Sequence, residues 1–179
     1  MDRDGTTSSA LTLQTERLTL RPWQASDAAF HRGLWLERDP RVPVRRRVSA
    51  DGRPTIADLE GWVRDYDALP APGLLVAELQ RSGDPIGYCG LVANSVGRDD
   101  EPELAFEFAQ RFWNRGYATE ASRAILTCAR AFGYRHLDST VRAWNAASLR
   151  VLEKLGFAET GDVETDPVHG DSLLLRIAL

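Results

Sequence analysis

The sequence predicts an α+β domain in which helices pack on a mixed, mostly antiparallel central sheet. Three observations lead there. Periodic segments succeed one another in the order β-α-α-β-β-β-α-β-α-β-β, so helices join some strands and tight turns join others. The chain has 179 residues, 43% hydrophobic and 27% charged, which suits one sizeable core in an ordinary globular domain. No internal repeat or linker interrupts it. The first ten residues are polar and read as a flexible tail, leaving residues 11–179 as a single domain.

Taken in order, Leu11 to Leu20 alternates and reads as a strand that Pro22 ends. Ser26-Asp27 is a helix-start signal for a short helix from Ala28 to Leu36. Residues 39–54 hold prolines and arginines without period and read as a loop. Thr55 with Asp58 resembles a capping box, after which Ile56, Leu59, Val63 and Tyr66 share one helical face. Pro70-Ala-Pro-Gly73 breaks the chain. Leu74 to Leu79 and Ile86 to Ala93 flank the Ser82-Gly-Asp-Pro85 turn as a hairpin. A polar loop, Asn94 to Pro102, leads to a strand from Glu103 to Phe108. The helix from Tyr117 to Phe132 turns Ala118, Ala121, Ile125, Cys128, Ala129 and Phe132 to one face, with Gly133 as its C-terminal stop. Strand 136–141, helix 145–155, strand 157–163 and strand 172–179 complete the chain.

Composition narrows the function classes. A net charge of −4 disfavours nucleic-acid binding through a general positive field. The run Arg45-Arg46-Arg47 reads first as a solvated loop. Cys89 and Cys128 fall in predicted buried elements and form no metal-type pair, which suits a reduced, cytoplasmic protein without a metal site. No run approaches the ~18 apolar residues of a membrane span. Monomer and homodimer both stay open.

The most informative stretch is 103–121: a short apolar strand, a basic turn with one glycine, then a helix. Such a turn points several backbone N–H groups at one place, and the helix N-terminus behind it adds partial positive charge. Together they suit a phosphate or pyrophosphate. The second strand ends in Arg142-Ala-Trp-Asn145 and feeds a helix with Ser148 on its first turn and Leu155-Gly156-Phe157 at its end. A phosphate-bearing cofactor between the two strand-to-helix turns is the expectation.

These segments resemble the GNAT superfamily of acyl-CoA-dependent N-acyltransferases, and within it the branch of the ribosomal-protein N-terminal acetyltransferases. The family's phosphate turn is matched by Arg111-Phe-Trp-Asn114-Arg-Gly116, with Asn114 in place of the first glycine. Asn tolerates the left-handed region better than other non-glycine residues, so the turn survives the change. The family's Asn-x-x-Ser appears as Asn145-Ala-Ala-Ser148, and the opening Leu13-Gln-Thr-Glu-Arg-Leu-Thr-Leu-Arg-Pro22 is typical of the branch. The resemblance covers about residues 11–179. It implies the GNAT fold, whose splayed strands hold acyl-CoA, and acetyl-CoA as co-substrate. It also implies a cofactor site of Phe106, Phe108, Arg111, Asn114, Arg115, Gly116, Tyr117, Ala118, Thr119, Asn145 and Ser148.

Acyl transfer to an amine needs a held thioester, a deprotonated amine and a stabilised leaving thiolate. No Gly-x-Ser-x-Gly nucleophile motif is present, so direct attack fits. Glu107, an acid inside an apolar strand, is the base candidate, with Glu103 on the same strand face as rival. Both also read as solvated strand residues. Other members carry a base at the position of Thr140, which cannot serve. Ser148 is the candidate to assist the thiolate, because the family's tyrosine acid is replaced by Leu152; a plain first-turn serine is the alternative. Trp23 and Trp35 flank the first helix and His169 sits in a late loop, where the resemblance implies that the acceptor binds. The five tryptophans are otherwise expected mostly in the core. Two further classes remain: a non-catalytic acyl-CoA-binding module, and an acyltransferase using a longer acyl-CoA. A dinucleotide-binding domain is disfavoured by the single glycine in the turn and the late antiparallel strands.

Overall fold

The computed structural model describes residues 11–65, 70–94, 98 and 100–179. The expected tail over residues 1–10 and Tyr66 lie outside them.

Leu13–Gln14 (β1) and Leu18–Arg21 (β2) are two arms of a tight hairpin, Leu13 opposite Leu20. The single strand expected over this stretch is interrupted because Thr15 closes a turn. Its amide donates to the Leu18 carbonyl and its hydroxyl accepts from the Leu18 amide, both at 2.9 Å. Ala28–Leu36 (α1) and Ile56–Asp65 (α2) match the expected helices. The capping box before α2 forms as its residues predict, with the Asp58 amide donating to Thr55 Oγ1 at 3.2 Å and the Thr55 amide to Asp58 Oδ2 at 2.8 Å. Leu59 and Val63 turn inward, whereas Ile56 is exposed in the first turn.

Leu74–Leu79 (β3), Pro85–Val92 (β4) and Glu103–Phe108 (β5) form an antiparallel meander. Tyr117–Ala131 (α3), His136–Arg142 (β6), Ala146–Leu155 (α4), Ala158–Glu164 (β7) and Ser172–Ala178 (β8) follow. Phe132, expected on the buried face of α3, is exposed, because the helix ends there and Gly133 swings away at φ 88°. The eight strands lie in the order β1-β2-β3-β4-β5-β6-β8-β7, and only β5 and β6 run parallel.

Alternation along the strands assigns the two faces. Leu75, Ala77, Leu104, Phe108, Leu137 and Val141 point into the larger core beneath α3 and α4, with Ala121, Ile125 and Leu152. Val76 points the other way, into a smaller core with Trp23 and Val63. Of the tryptophans expected mostly inside, Trp62 and Trp113 are exposed. Trp113 spends its indole N–H on the Phe108 carbonyl at 2.6 Å, which holds the ring over the turn rather than in the core.

What positions the site is the junction of β5 and β6. They share one register pair, Glu103 with Asp138, and then diverge. Ser139 Oγ donates to the Leu104 carbonyl at 3.1 Å as the last link. Beyond it, the outer halves of the two strands enclose an open wedge. Buried Asp138 closes the narrow end, accepting from Arg176 at 2.7 and 3.0 Å and from Asn94 Nδ2 at 2.9 Å.

Candidate active site

The turn after β5 has the shape that its residues predict. Asn114 stands at φ 59° and Gly116 at φ 81°, so both take the left-handed region. Gly116 is the N-cap of α3, and the Glu120 amide already donates to its carbonyl at 2.9 Å. The amides of the first turn are thereby left facing outward, as at any helix start. Arg111 and Arg115 are exposed on either side, stacked near Phe112 at 4.8 and 5.8 Å. Tyr117 and Thr119 are buried and fix the helix beneath, while Ala118 is half-buried.

A brace holds this turn from behind, built by residues to which no motif assigns a role. Arg17 reaches across from the β1–β2 hairpin. Its amide donates to Glu120 Oε1 at 2.8 Å, its Nε to Glu120 Oε2 at 2.7 Å, and its NH1 to the Arg115 carbonyl at 3.0 Å. The guanidinium lies 4.4 Å from the Tyr117 ring centre, and Thr15 Oγ1 adds a 2.6 Å bond to Glu120. These partners, with burial working against them, keep the Glu120 carboxyl below its ordinary range.

The second strand-to-helix turn is also in place. Asn145 Oδ1 accepts from the Ser148 amide at 3.2 Å, an N-cap bond. The Ser148 side chain is half-buried, and its hydroxyl bonds to no other described residue. Leu152 is fully buried in the larger core and has no proton to offer the wedge. Phe106 and Phe108 point to the α3 side of the sheet.

Glu103 and Glu107 separate clearly. Glu103 is buried at the closed end of the wedge, and Glu107 stands at its open end. Glu107 points to the opposite sheet face from Phe106 and Phe108, toward α1. There Arg38 grips it as a fork, Nε to Oε1 at 2.7 Å and NH2 to Oε2 at 2.5 Å, and Tyr88 donates its hydroxyl at 3.0 Å. A carboxylate offers about four lone-pair sites, so roughly one is left for a water. Arg38 and Tyr88 escaped the sequence reading. Arg38 lies just before an aperiodic arginine-rich loop, and Tyr88 read only as a hairpin residue, although Tyr88 and Glu107 are direct cross-strand partners. Thr140 shares this face, and its buried Oγ1 has no hydrogen-bond partner among the described residues.

The expected acceptor residues fall into two groups. Trp23 is buried beside His31, ring centres 4.7 Å apart. Trp35 donates its indole N–H to His31 Nε2 at 3.2 Å and carries the Arg38 guanidinium 4.2 Å above its ring. Burial lowers His31 to about 4, so it stays neutral near pH 7 and accepts that bond. His169 stands apart from this cluster, in the loop between β7 and β8. Its carbonyl accepts from the Trp144 indole at 2.8 Å, while its own amide, that of Val168 and its ring hold the Asp166 carboxyl at about 2. Arg41 stacks 4.1 Å from Trp144, which ties this loop to the segment after α1.

Cys89 is fully buried, which pushes its thiol up to about 12 and makes it no nucleophile near neutrality. Among the described residues no cluster of histidine, cysteine or acidic side chains has the make-up of a metal site, and no helix is long and apolar enough to cross a membrane.

The model of the acetyltransferase (GNAT) domain family matches residues 17–158. An uncharacterized protein of Bacillus subtilis (strain 168), YkkB, is 34% identical over 147 residues, which span 80% of this chain and 83% of that one. A putative GnaT-family acetyltransferase from Bordetella pertussis superposes with a TM-score of 0.73 at 26% identity, covering 93% of this chain and 98% of that one. The putative acetyltransferase yncA from Salmonella typhimurium, solved with its cofactor acetyl-CoA, superposes with a TM-score of 0.70 at 19% identity, covering 90% and 94%.

Proposed function

The chain belongs to the GNAT acetyltransferase family, and from that premise we propose that it moves an acetyl group from acetyl-CoA to a primary amine by direct attack. The observation that carries the proposal is the open wedge between β5 and β6, capped by a turn with two left-handed residues at a helix N-terminus. Outward amides there suit a pyrophosphate, and Arg111 and Arg115 add charge beside it. Asn145 and the free strand edges suit the amide-bearing arm of the cofactor. Two unpaired cysteines, one deeply buried, fit a reducing cytoplasmic setting.

Acetyl-CoA supplies the thioester carbonyl, to which the amine forms a C–N bond as the C–S bond breaks. Glu107 takes the ammonium proton through the water that its remaining lone pair can hold. An α-amino group has a pKa near about 8, so a carboxylate relay is sufficient help at neutral pH. Ser148 donates a hydrogen bond to the departing thiolate, which takes up through solvent the second proton that the nitrogen gives up as the amide forms, while the first leaves from Glu107 to solvent. Trp35 and His169 border the acceptor side, and Trp23 backs it from the smaller core.

The test has two readings. Coenzyme A is expected to raise the melting temperature, and acetyl-CoA with an amine panel to release free thiol. Gly116→Val puts a β-carbon at φ 81° beside Arg17, so the variant should stay folded and lose the thermal shift. A shift without thiol release on any amine would make the chain a binding module instead. An unchanged shift in Gly116→Val would remove the turn from the cofactor site.

A further inference from the structure

A groove of about 870 Å³ lies between the segment after α1 and the exposed face of α2. It adjoins the acceptor side. Trp62 on its wall packs against Trp35 at 5.4 Å, Trp35 carries Arg38, and Arg38 holds both Glu107 and the Arg46 carbonyl, the latter at 2.6 Å.

Its charge runs against that of the protein. The chain carries a net −4. The groove is lined by Arg45, Arg47, Arg53 and Arg64 against Asp51 and Asp58. Arg53 is neutralised by Asp58 at 2.9 Å. Among the described residues no carboxylate forms a close ion pair with Arg45, Arg47 or Arg64, and Asp39, which is held by Arg41, feels the charge of Arg47 only as a secondary influence. The aperiodic segment is nonetheless held in place. Arg47 Nε donates to the Val42 carbonyl at 2.6 Å, and Arg32 on α1 donates to the carbonyls of Pro54 and Gly52 at 3.1 and 3.2 Å. Arg47 and the backbone of this wall are therefore fixed, Arg45 and Arg64 are exposed beside them, and Trp62, 39% exposed, is an apolar platform among them. A groove whose lining is net positive, on an acidic protein, concentrates anionic partners there.

Resting on the acetyltransferase reading, we propose that this groove receives the acceptor, and that the acceptor is a polypeptide whose residues following its free amino group are acidic. At about 870 Å³ the open groove lies at the upper end of the range for small-molecule sites, and its arginines are spread along a loop and a helix. It suits a short extended segment with carboxylates on the arginines and one apolar contact on Trp62.

Two peptides decide it, each with N-terminal alanine, followed by three glutamates in one and three lysines in the other. Binding is read by fluorescence anisotropy on C-terminally labelled peptides, independent of turnover, and acetylation by thiol release. The acidic peptide should bind and react at least about tenfold better than the basic one, and the margin should shrink as salt rises. The double variant Arg45→Glu/Arg64→Glu alters two exposed side chains and should reverse the preference. Its thermal shift with coenzyme A reports that it remains folded. Equal binding of the two peptides, or a preference that survives the double variant, overturns the proposal. Free aspartate turned over as well as the acidic peptide also overturns it, in favour of a small acceptor. If the acidic peptide binds selectively but no amine releases thiol, the groove assignment stands and the acetyltransferase reading fails.

Discussion

The Glu107 carboxylate does two jobs that a single substitution can separate. It neutralises Arg38, whose side chain is 11% exposed, and it is the proposed base. Glu107→Gln keeps the volume and removes both charge and basicity. Leaving Arg38 unpaired should destabilise the fold by about 3 kcal/mol or more. If Glu107 also relays the proton, the activity deficit should be large near neutral pH and shrink as pH rises toward the amine's own pKa. A deficit of constant size across pH would mean that Glu107 serves only to place Arg38. Glu103→Gln, at the closed end of the wedge, should leave the pH profile as in the parent. Ser148 has a simpler expectation. Ser148→Ala should lower kcat by about tenfold to a hundredfold with little change in KM for acetyl-CoA, because its bond strengthens only as the thiolate forms. The N-cap bond uses the Ser148 amide, not its hydroxyl, so stability should hold. Parent kcat in this variant would assign proton delivery to water alone.

At the scale of elements, the phosphate turn depends on the hairpin that braces it. Arg17→Ala removes two bonds to Glu120, one to the Arg115 carbonyl and the stack on Tyr117, while the amide bond to Glu120 persists. The turn loses its rear support but none of its outward amides. KM for acetyl-CoA should therefore rise several-fold with kcat nearly unchanged. Arg17→Lys keeps the charge without the planar fork and should recover only part of the loss. An unchanged KM in Arg17→Ala would show the turn to be self-supporting. This brace marks the limit of what periodicity reveals. Strand, turn and helix over residues 103–131 were legible because alternation, Asn and Gly act within a few residues. The opening 13–22 was legible as a motif, but the work of Thr15 and Arg17 was not, since their partner Glu120 is 103 or more positions away. The same applies to Arg38, 69 positions from Glu107, in a segment whose lack of period hid a fixed wall.

The whole molecule is two half-sheets, β1 to β5 and β6 to β8, joined at one register pair. Sequence reading found all of the later strands, because each carries its own alternation. It could not find where two strands part, since divergence depends on the partner and on what pins the narrow end. The pin is Asp138, fully buried, with Arg176 and Asn94 on its carboxylate and Arg176 bonded onward to Glu101 at 2.7 Å. Its amide donates to the Pro102 carbonyl at 3.1 Å, so backbone and side chain both close the junction. Asp138→Ala leaves Arg176 and Asn94 without their shared acceptor and opens a space between the halves. Arg176 is 37% exposed and keeps Glu101, so the loss should be that of the charged hydrogen bonds, about 2–3 kcal/mol. Asp100→Ala removes an ion pair of 2.9 Å with Arg98, but both side chains are 69% exposed, and the variant should unfold as the parent does. Because Asp138 sits at the apex rather than in the wedge, its variant should bind coenzyme A more weakly in proportion to a loosened junction, with the kcat ratio between Ser148 and Ser148→Ala proteins preserved. Chemical denaturation of the two aspartate variants measures their stability losses directly. A loss below about 1 kcal/mol in Asp138→Ala would mean that the half-sheets are held by the helices packed across them, and that the wedge owes its shape to α3 and α4 rather than to its apex.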